Sequence, residues 1–218
     1  MILQRPTKHT EIRTANSSKS RVFGKTWQTH LAVRIAMLLA CACLPLAAQG
    51  ESHYVLDPAQ SAVQFSLAGV DKVNGTFHVT SGDISFDRTT DKMSGKIVVA
   101  SATGSSGSTS RDNKMKKDQL KVSTYPDVTF EPASFTGQIA ESGSSQIQVK
   151  GTFTLLGQPH EITVPMTVQI DGSHCTATGS FDIPYVHWGV KDPSIFMLKM
   201  AKDVKIQLNL SGQINPNS

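Results

Sequence analysis

Cysteine is scarce in this 218-residue chain: there are three, and Cys41 and Cys43 fall near the N-terminus, leaving Cys175 alone beyond residue 50. One thiol excludes an intramolecular disulfide in that part. Cys175 alternates with small or apolar residues, which suits a buried side chain better than a reactive nucleophile at a helix start. The five histidines beyond residue 50 (His53, His78, His160, His174, His187) form no HExxH and no i, i+4 pair that suggests metal ligation. Serine is plentiful, yet no GxSxG elbow occurs. The expectation is a protein without metal or catalytic cofactor and not an enzyme. Paired carboxylates brought together by the fold are the one catalytic arrangement left open.

Long apolar runs are also missing, with one exception. Residues 31–50, "LAVRIAMLLACACLPLAAQG", set Arg34 before an apolar segment at 35–46 and end in small residues. That is the layout of a secretory signal peptide, with cleavage expected after Ala48 or Gly50. The run is too short for a bilayer-spanning helix, which needs about 20 apolar residues; a retained anchor and a lipoprotein cysteine at Cys41 are the weaker alternatives. Residues 1–30 are polar and unpatterned, and synthesis beginning near Val33 would remove them. The expected division is therefore residues 1–50 as leader and 51–218 as one domain.

Positive charge is the third thing lacking. The chain carries 21 basic and 17 acidic side chains, but seven basic residues and only Glu11 lie in residues 1–50. Residues 51–218 therefore hold 14 basic and 16 acidic groups, a net of −2. The electrostatic footprint of a nucleic-acid binder is absent from that part.

What is abundant is alternation. Side chains of period two fall on opposite faces of a strand. Val63, Phe65 and Leu67 alternate with Gln64 and Ser66; Phe77 and Val79 flank His78; Ile84 and Phe86 flank Ser85. Ile97 and Val99, Val128 and Phe130, and Ile147 through Leu155 continue the pattern, with Gly151 in line as an expected bend or bulge. After a "GQPHE" turn come Ile162 through Ile170, Cys175 through Ile183, and Val204 through Leu210. Eight or more strands with short Gly-, Asp-, Ser- and Asn-rich turns predict an antiparallel barrel or sandwich, and long sequential strands favour an up-and-down barrel. One segment differs. Residues 109–127 have a helical look, with Thr109 and Asp112 at capping-box spacing, Met115 and Val122 on one face, and Pro126 as a stop. Residues 101–110, "SATGSSGSTS", read as a mobile loop. The inward stripes are almost wholly apolar, and eight strands enclose an interior that is either filled by side chains or holds one slender ligand. Periodicity does not distinguish the two.

In order along the chain, "YVLDPAQSAVQFSL" (54–67), "GTFHVTSGDISFD" (75–87), "SRDNKMKKDQLKVSTYPDVTFEP" (110–132), "GTFTLLGQPHEITVPM" (151–166) and "YVHWGVKDPS" (185–194) resemble the YceI-like family of exported polyisoprenoid-binding proteins. The resemblance implies an all-β fold, a lipocalin-like eight-stranded antiparallel β-barrel with one short α-helix. It also implies a periplasmic carrier holding a polyisoprenoid, an isoprenoid quinone or a similar amphiphilic lipid inside the barrel. Transient membrane contact is a separate expectation, and the oligomeric state is left open. Many relatives have His where this chain has Gln60. The lining expected for such a ligand is Phe65, Phe77, Phe86, Phe130, Phe153, Phe181 and Trp188, with Met115 and Phe196 near an entrance, since aromatic and Met side chains offer broad, adaptable apolar surface. Ordinary core packing is the alternative at each position. Arg111, Lys114 and Lys191 are candidates for a polar head group, Arg because its fork grips phosphate through two hydrogen bonds. An envelope protein with a filled barrel acting through its surface is the rival reading.

Overall fold

The computed structural model describes residues 51–195 and 197–216. The leader reading (Arg34, residues 35–46, the cleavage points, Cys41 and Cys43) and Phe196 lie outside the described residues.

Nine strands form one antiparallel sheet that closes on itself. They are β1 (Ser52–Leu56), β2 (Ala62–Leu67), β3 (Val73–Asp87), β4 (Lys92–Ala100), β5 (Asp127–Gly137), β6 (Gly143–Leu155), β7 (Gln158–Asp171), β8 (His174–Ile183) and β9 (Val204–Pro216). Each strand from β3 to β9 pairs with its neighbour in sequence, and β1 and β2 both lie between β3 and β9. The two thus form one broken stave, and the fold is an eight-stave up-and-down barrel, as the alternation predicts. Closure leaves no free edge for another chain to extend.

The break in the first stave is written in "DPAQ". Pro58 has no N–H for a ladder, so the strand stops and a 3-10 turn, Pro58–Gln60, takes over. Asp57 caps that turn, accepting from the Ala59 amide at 2.9 Å and the Gln60 side-chain amide at 2.8 Å. Ser61 then stitches the seam: its hydroxyl donates to the Asp57 carbonyl at 2.7 Å and accepts the Ser211 amide of β9 at 3.0 Å. Gln60 is exposed and faces this turn.

Four local expectations are corrected. The β6–β7 reversal is a two-residue turn of Leu156 (φ 51°) and Gly157 (φ 71°), so residues 158–161 of the expected "GQPHE" turn already belong to β7. A tight hairpin needs positive φ at both positions, and burial of the Leu156 side chain, 8% exposed, offsets the strain. Gly151 is in register with both neighbours; the irregularity lies opposite, between Pro132 and Ser134 of β5. Helix α1 (Thr109–Lys114), continued by a π-helical turn at Met115–Gln119, starts from Ser108 rather than from a Thr109 capping box. Asp112 instead reaches back to Ser106, accepting its amide at 2.8 Å and its hydroxyl at 2.5 Å. The helix ends well before Pro126, at Lys121 in the left-handed region (φ 48°), so Val122 lies beyond it rather than on its face. Residues 101–110 are held by hydrogen bonds: Ser105 and Thr76 exchange backbone bonds of 2.8 and 3.0 Å, and the amide of the buried Ser101 donates to the Pro126 carbonyl at 2.8 Å.

Candidate functional site: the barrel cavity

The inward stripes do not meet at the centre. They surround a cavity of about 630 Å³ that runs from Tyr54, Phe86, Ile139 and Ile214 at one end to Arg111, Lys114, Ile195 and Leu198 at the other. Its volume lies within the range of small-molecule sites, about 300–1,000 Å³. The exposure of the wall shows which end is open. Ile84, Phe86, Val149, Val164 and Ile170 are buried, whereas Phe77, Phe130, Phe153, Phe181 and Leu208, on the same inward face, are half-buried. Arg111, Lys114, Ile195 and Leu198 are exposed and form the mouth.

The floor is closed by a side chain from the β3–β4 turn. Arg88 donates to the Ile139 carbonyl at 3.1 Å and to the Ser52 hydroxyl at 2.8 Å, and its guanidinium lies 4.9 Å from the Phe86 ring centroid. Above it sit the two polar groups of the deep wall. Burial pushes the Cys175 thiol up to about 11. Burial, and then the neighbouring Cys175, raise the Tyr54 phenol above its ordinary value.

The mouth is polar on one side and apolar on the other. Ser106, Ser108, Ser110, Arg111, Lys114 and Asp71 contribute to its rim. Arg111 donates to the Ser106 hydroxyl at 2.7 Å and the Ser106 carbonyl at 2.9 Å, which fixes it beside the opening. The hydroxyl and then the amide of Ser106 hold the Asp112 carboxyl below the usual carboxylate range, so the helix start remains a charged, ordered element. Opposite stand Ile195, Leu198 and Met200 from the loop between β8 and β9. Tyr185 anchors that loop through a 2.8 Å hydrogen bond from its hydroxyl to the Ala201 carbonyl.

Eight of the residues singled out by sequence, Phe65, Phe77, Phe86, Phe130, Phe153, Phe181, Met115 and Arg111, fall on the cavity wall, as does Lys114. Phe65 and Phe77 pack at 5.4 Å and Phe153 and Phe181 at 6.3 Å. Trp188 is not on the wall: it lies behind Phe153 at 5.9 Å and stacks on His160 at 4.0 Å. Lys191 and Gln60 are likewise off the wall. Sequence reading passed over Tyr54, Tyr185, Asp71 and the rim serines. Tyr54 shares the alternation of β1, but that strand has only five residues and no long stripe to announce it. Among the described residues no three His, Cys, Asp or Glu side chains gather as a metal site, and no helix is long and apolar enough to cross a membrane.

A closed antiparallel barrel with a hydrocarbon-lined interior open at one end defines an internal-cavity barrel protein. A family model, the YceI-like domain, matches residues 54–212, and the chain belongs to that family. It is similar to a UPF0312 protein of Vibrio cholerae, 27% identical over 143 residues that cover 63% of this chain and 71% of the relative. Among solved structures it is similar to BcnA of Burkholderia cenocepacia, with 25% identity, a TM-score of 0.59, and coverage of 72% of this chain and 98% of that one. A polyisoprenoid binding domain from Saccharophagus degradans shares the fold at 16% identity, a TM-score of 0.60, and coverage of 74% and 98%.

Proposed function

We propose that the protein binds and carries a polyisoprenoid, an isoprenoid quinone or a similar amphiphilic lipid inside the barrel, after export to the periplasm. The carrying observation is the apolar cavity of about 630 Å³ inside the barrel, with one solvent-facing end. A branched hydrocarbon has no polar atoms to satisfy, so an apolar wall suffices to hold it. Each buried methylene contributes about 0.8 kcal/mol, hence roughly 3–4 kcal/mol for a five-carbon unit before ordering costs. Arg111 and Lys114 stand where a polar or anionic head group would emerge. Family membership and the likeness to the polyisoprenoid binding domain of S. degradans support the lipid class; the leader pattern supports export. The chemistry asked of the protein is burial alone, with no bond made or broken.

Organic extraction of the purified protein followed by mass spectrometry tests the reading, together with titration of a fluorescent prenyl lipid. A co-purifying prenyl lipid or saturable uptake is expected. A clean extract and no uptake would refute it.

A further inference from the structure

Five large apolar side chains are strongly exposed among the described residues, and four lie at the cavity mouth: Val70 (65%), Ile195 (55%), Met197 (78%) and Leu198 (42%). They belong to two loops joined by backbone hydrogen bonds. The Val70 amide donates to Lys199 at 3.3 Å and the Ala201 amide to Ala68 at 2.7 Å. Ile195 and Leu198 exchange both of their bonds at 3.0 Å, which draws the two together beside the exposed Met197. Ile195 and Leu198 also line the cavity. Apolar side chains therefore stand on the cavity wall, at the lip and just outside it. Contiguous exposed apolar surface of this kind marks a contact site.

Charge identifies what it contacts. The segments that build the mouth (68–72, 106–121 and 184–203) hold nine basic residues, among them Lys72, Arg111, Lys114 and Lys199, against five acidic ones, a net of +4. The rest of residues 51–218 holds five basic and eleven acidic side chains, a net of −6. The loop segments around the apolar lip are thus net cationic, while the rest of the barrel is net anionic. Such a distribution orients a protein in a field. Lysines beside an apolar tip suit the surface of an anionic bilayer, where apolar side chains enter the headgroup boundary and cations meet the lipid charge.

Resting on the carrier reading, we propose that this lip docks on an anionic bilayer with the cavity mouth facing the lipid. The ligand then passes between membrane and barrel along the Ile195–Leu198 surface without crossing water.

The test uses the chain from Glu51 onward, because strands within Ser52–Pro216 close the barrel by themselves. Co-sedimentation is measured with phosphatidylcholine vesicles with and without phosphatidylglycerol, for wild type and for Val70→Ser/Met197→Ser, neither residue being on the cavity wall. Wild type is expected to partition onto the anionic vesicles and to do so less as salt rises. The double variant should lose roughly ten-fold in partition. It should also extract a fluorescent prenyl lipid from those vesicles correspondingly more slowly, yet bind the same lipid in detergent-free solution as wild type does. Equal vesicle binding by variant and wild type overturns the proposal, and so does wild type that ignores anionic vesicles while binding the lipid in solution; both leave the carrier reading standing. Absence of lipid binding by wild type in solution removes both.

Discussion

Replacing Tyr54 by Phe should stabilise the lipid-free protein, although most substitutions of a buried residue do the reverse. Tyr54 is 7% exposed and pairs across β3 and β9 with Ile84 and Ile214. Its hydroxyl is fully buried and has no hydrogen-bond partner among the described residues. A buried donor left unpaired carries the desolvation cost of that group, about 1–3 kcal/mol. Phe removes that cost and keeps the ring, which rests over Gly212. Against it stand the lost contacts of one oxygen atom, a few tenths of a kcal/mol at about 0.1–0.2 per atom pair. The net expectation is a gain of about 1 kcal/mol. Equilibrium urea unfolding of delipidated protein measures it. With a slope of about 1–3 kcal/mol/M, the midpoint should rise by roughly 0.3–1 M with the slope unchanged. A loss of similar size would show that the hydroxyl is bonded in solution and that the floor of the cavity is polar, which refutes the picture of a dry hydrocarbon interior.

A charge on the wall should be far more damaging than one outside. Phe153→Asp, which puts a carboxylate into the cavity, is expected to abolish prenyl-lipid uptake or folding, whereas Lys205→Glu should do neither. Lys205 reaches only the exposed Asp182 at 3.2 Å, and an exposed pair contributes about 0–1 kcal/mol; circular dichroism and lipid titration read both variants, and intact uptake by Phe153→Asp would reverse the assignment of the interior. Stability should also fall on the alkaline side. The folded Cys175 thiol holds its proton to about pH 11, above its ordinary value of 9.0, and Tyr185 is pushed up to about 12. The unfolded chain loses these protons first, so the contribution is complete below pH 9 and is lost as pH rises through 11, with a slope of at most about 1.4 kcal/mol per pH unit per group. Urea midpoints from pH 8 to 11 check this, and Cys175→Ala should flatten the pH 9–10 portion; in the native protein the thiol should resist modification at pH 8 until it unfolds.

The barrel was legible because its signal is redundant. In β6 to β9 every second residue is apolar or glycine over nine or more positions, so a one-residue slip would put a whole stripe into water. Short or broken elements carried no such redundancy. The first stave is split by Pro58, and the Leu156–Gly157 turn uses a leucine in a conformation that sequence statistics assign to Gly or Asn. Residues 101–110 have a loop's composition, yet Gly104 is buried because a side chain there would strike Phe77 and Met115. Polarity misleads where small residues exist to let the chain come close. At the site, the aromatic lining followed from parity along each strand. Trp188 was misplaced because it lies on no strand, and the distance it keeps from the cavity is set by a turn, residues 184–189, whose geometry no alternation encodes.

The unfilled interior has a cause in the same residues that leave the stripes incomplete. Gly75, Gly151, Gly179 and Gly212 all occupy inward positions, and each is covered by a large side chain from an adjacent strand: Phe65 over Gly75, Phe130 over Gly151, Met166 over Gly179 and Tyr54 over Gly212. A Cβ on Gly151 would stand 2.5 Å from the Glu131 carbonyl oxygen and 2.8 Å from the Phe130 ring, and one on Gly212 2.3 Å from the Val55 carbonyl oxygen and 2.8 Å from the Tyr54 ring, so a larger residue would displace both the neighbouring strand and the ring that lies on it. Eight strands enclose barely enough room for their own side chains. Whether that room is spent on packing or left open depends on whether the largest rings lie along the wall or point across it. Here the glycines lay three of them, Tyr54, Phe65 and Phe130, along it, together with Met166. Gly75→Ala should therefore disturb both sides at once: a Cβ there would stand 2.3 Å from the Phe65 ring and 2.4 Å from the Ser105 carbonyl oxygen, so the ring is driven inward, the Ser105–Thr76 pairing is strained, and both prenyl-lipid uptake and the urea midpoint should fall. A carrier needs the missing side chains as much as the apolar ones.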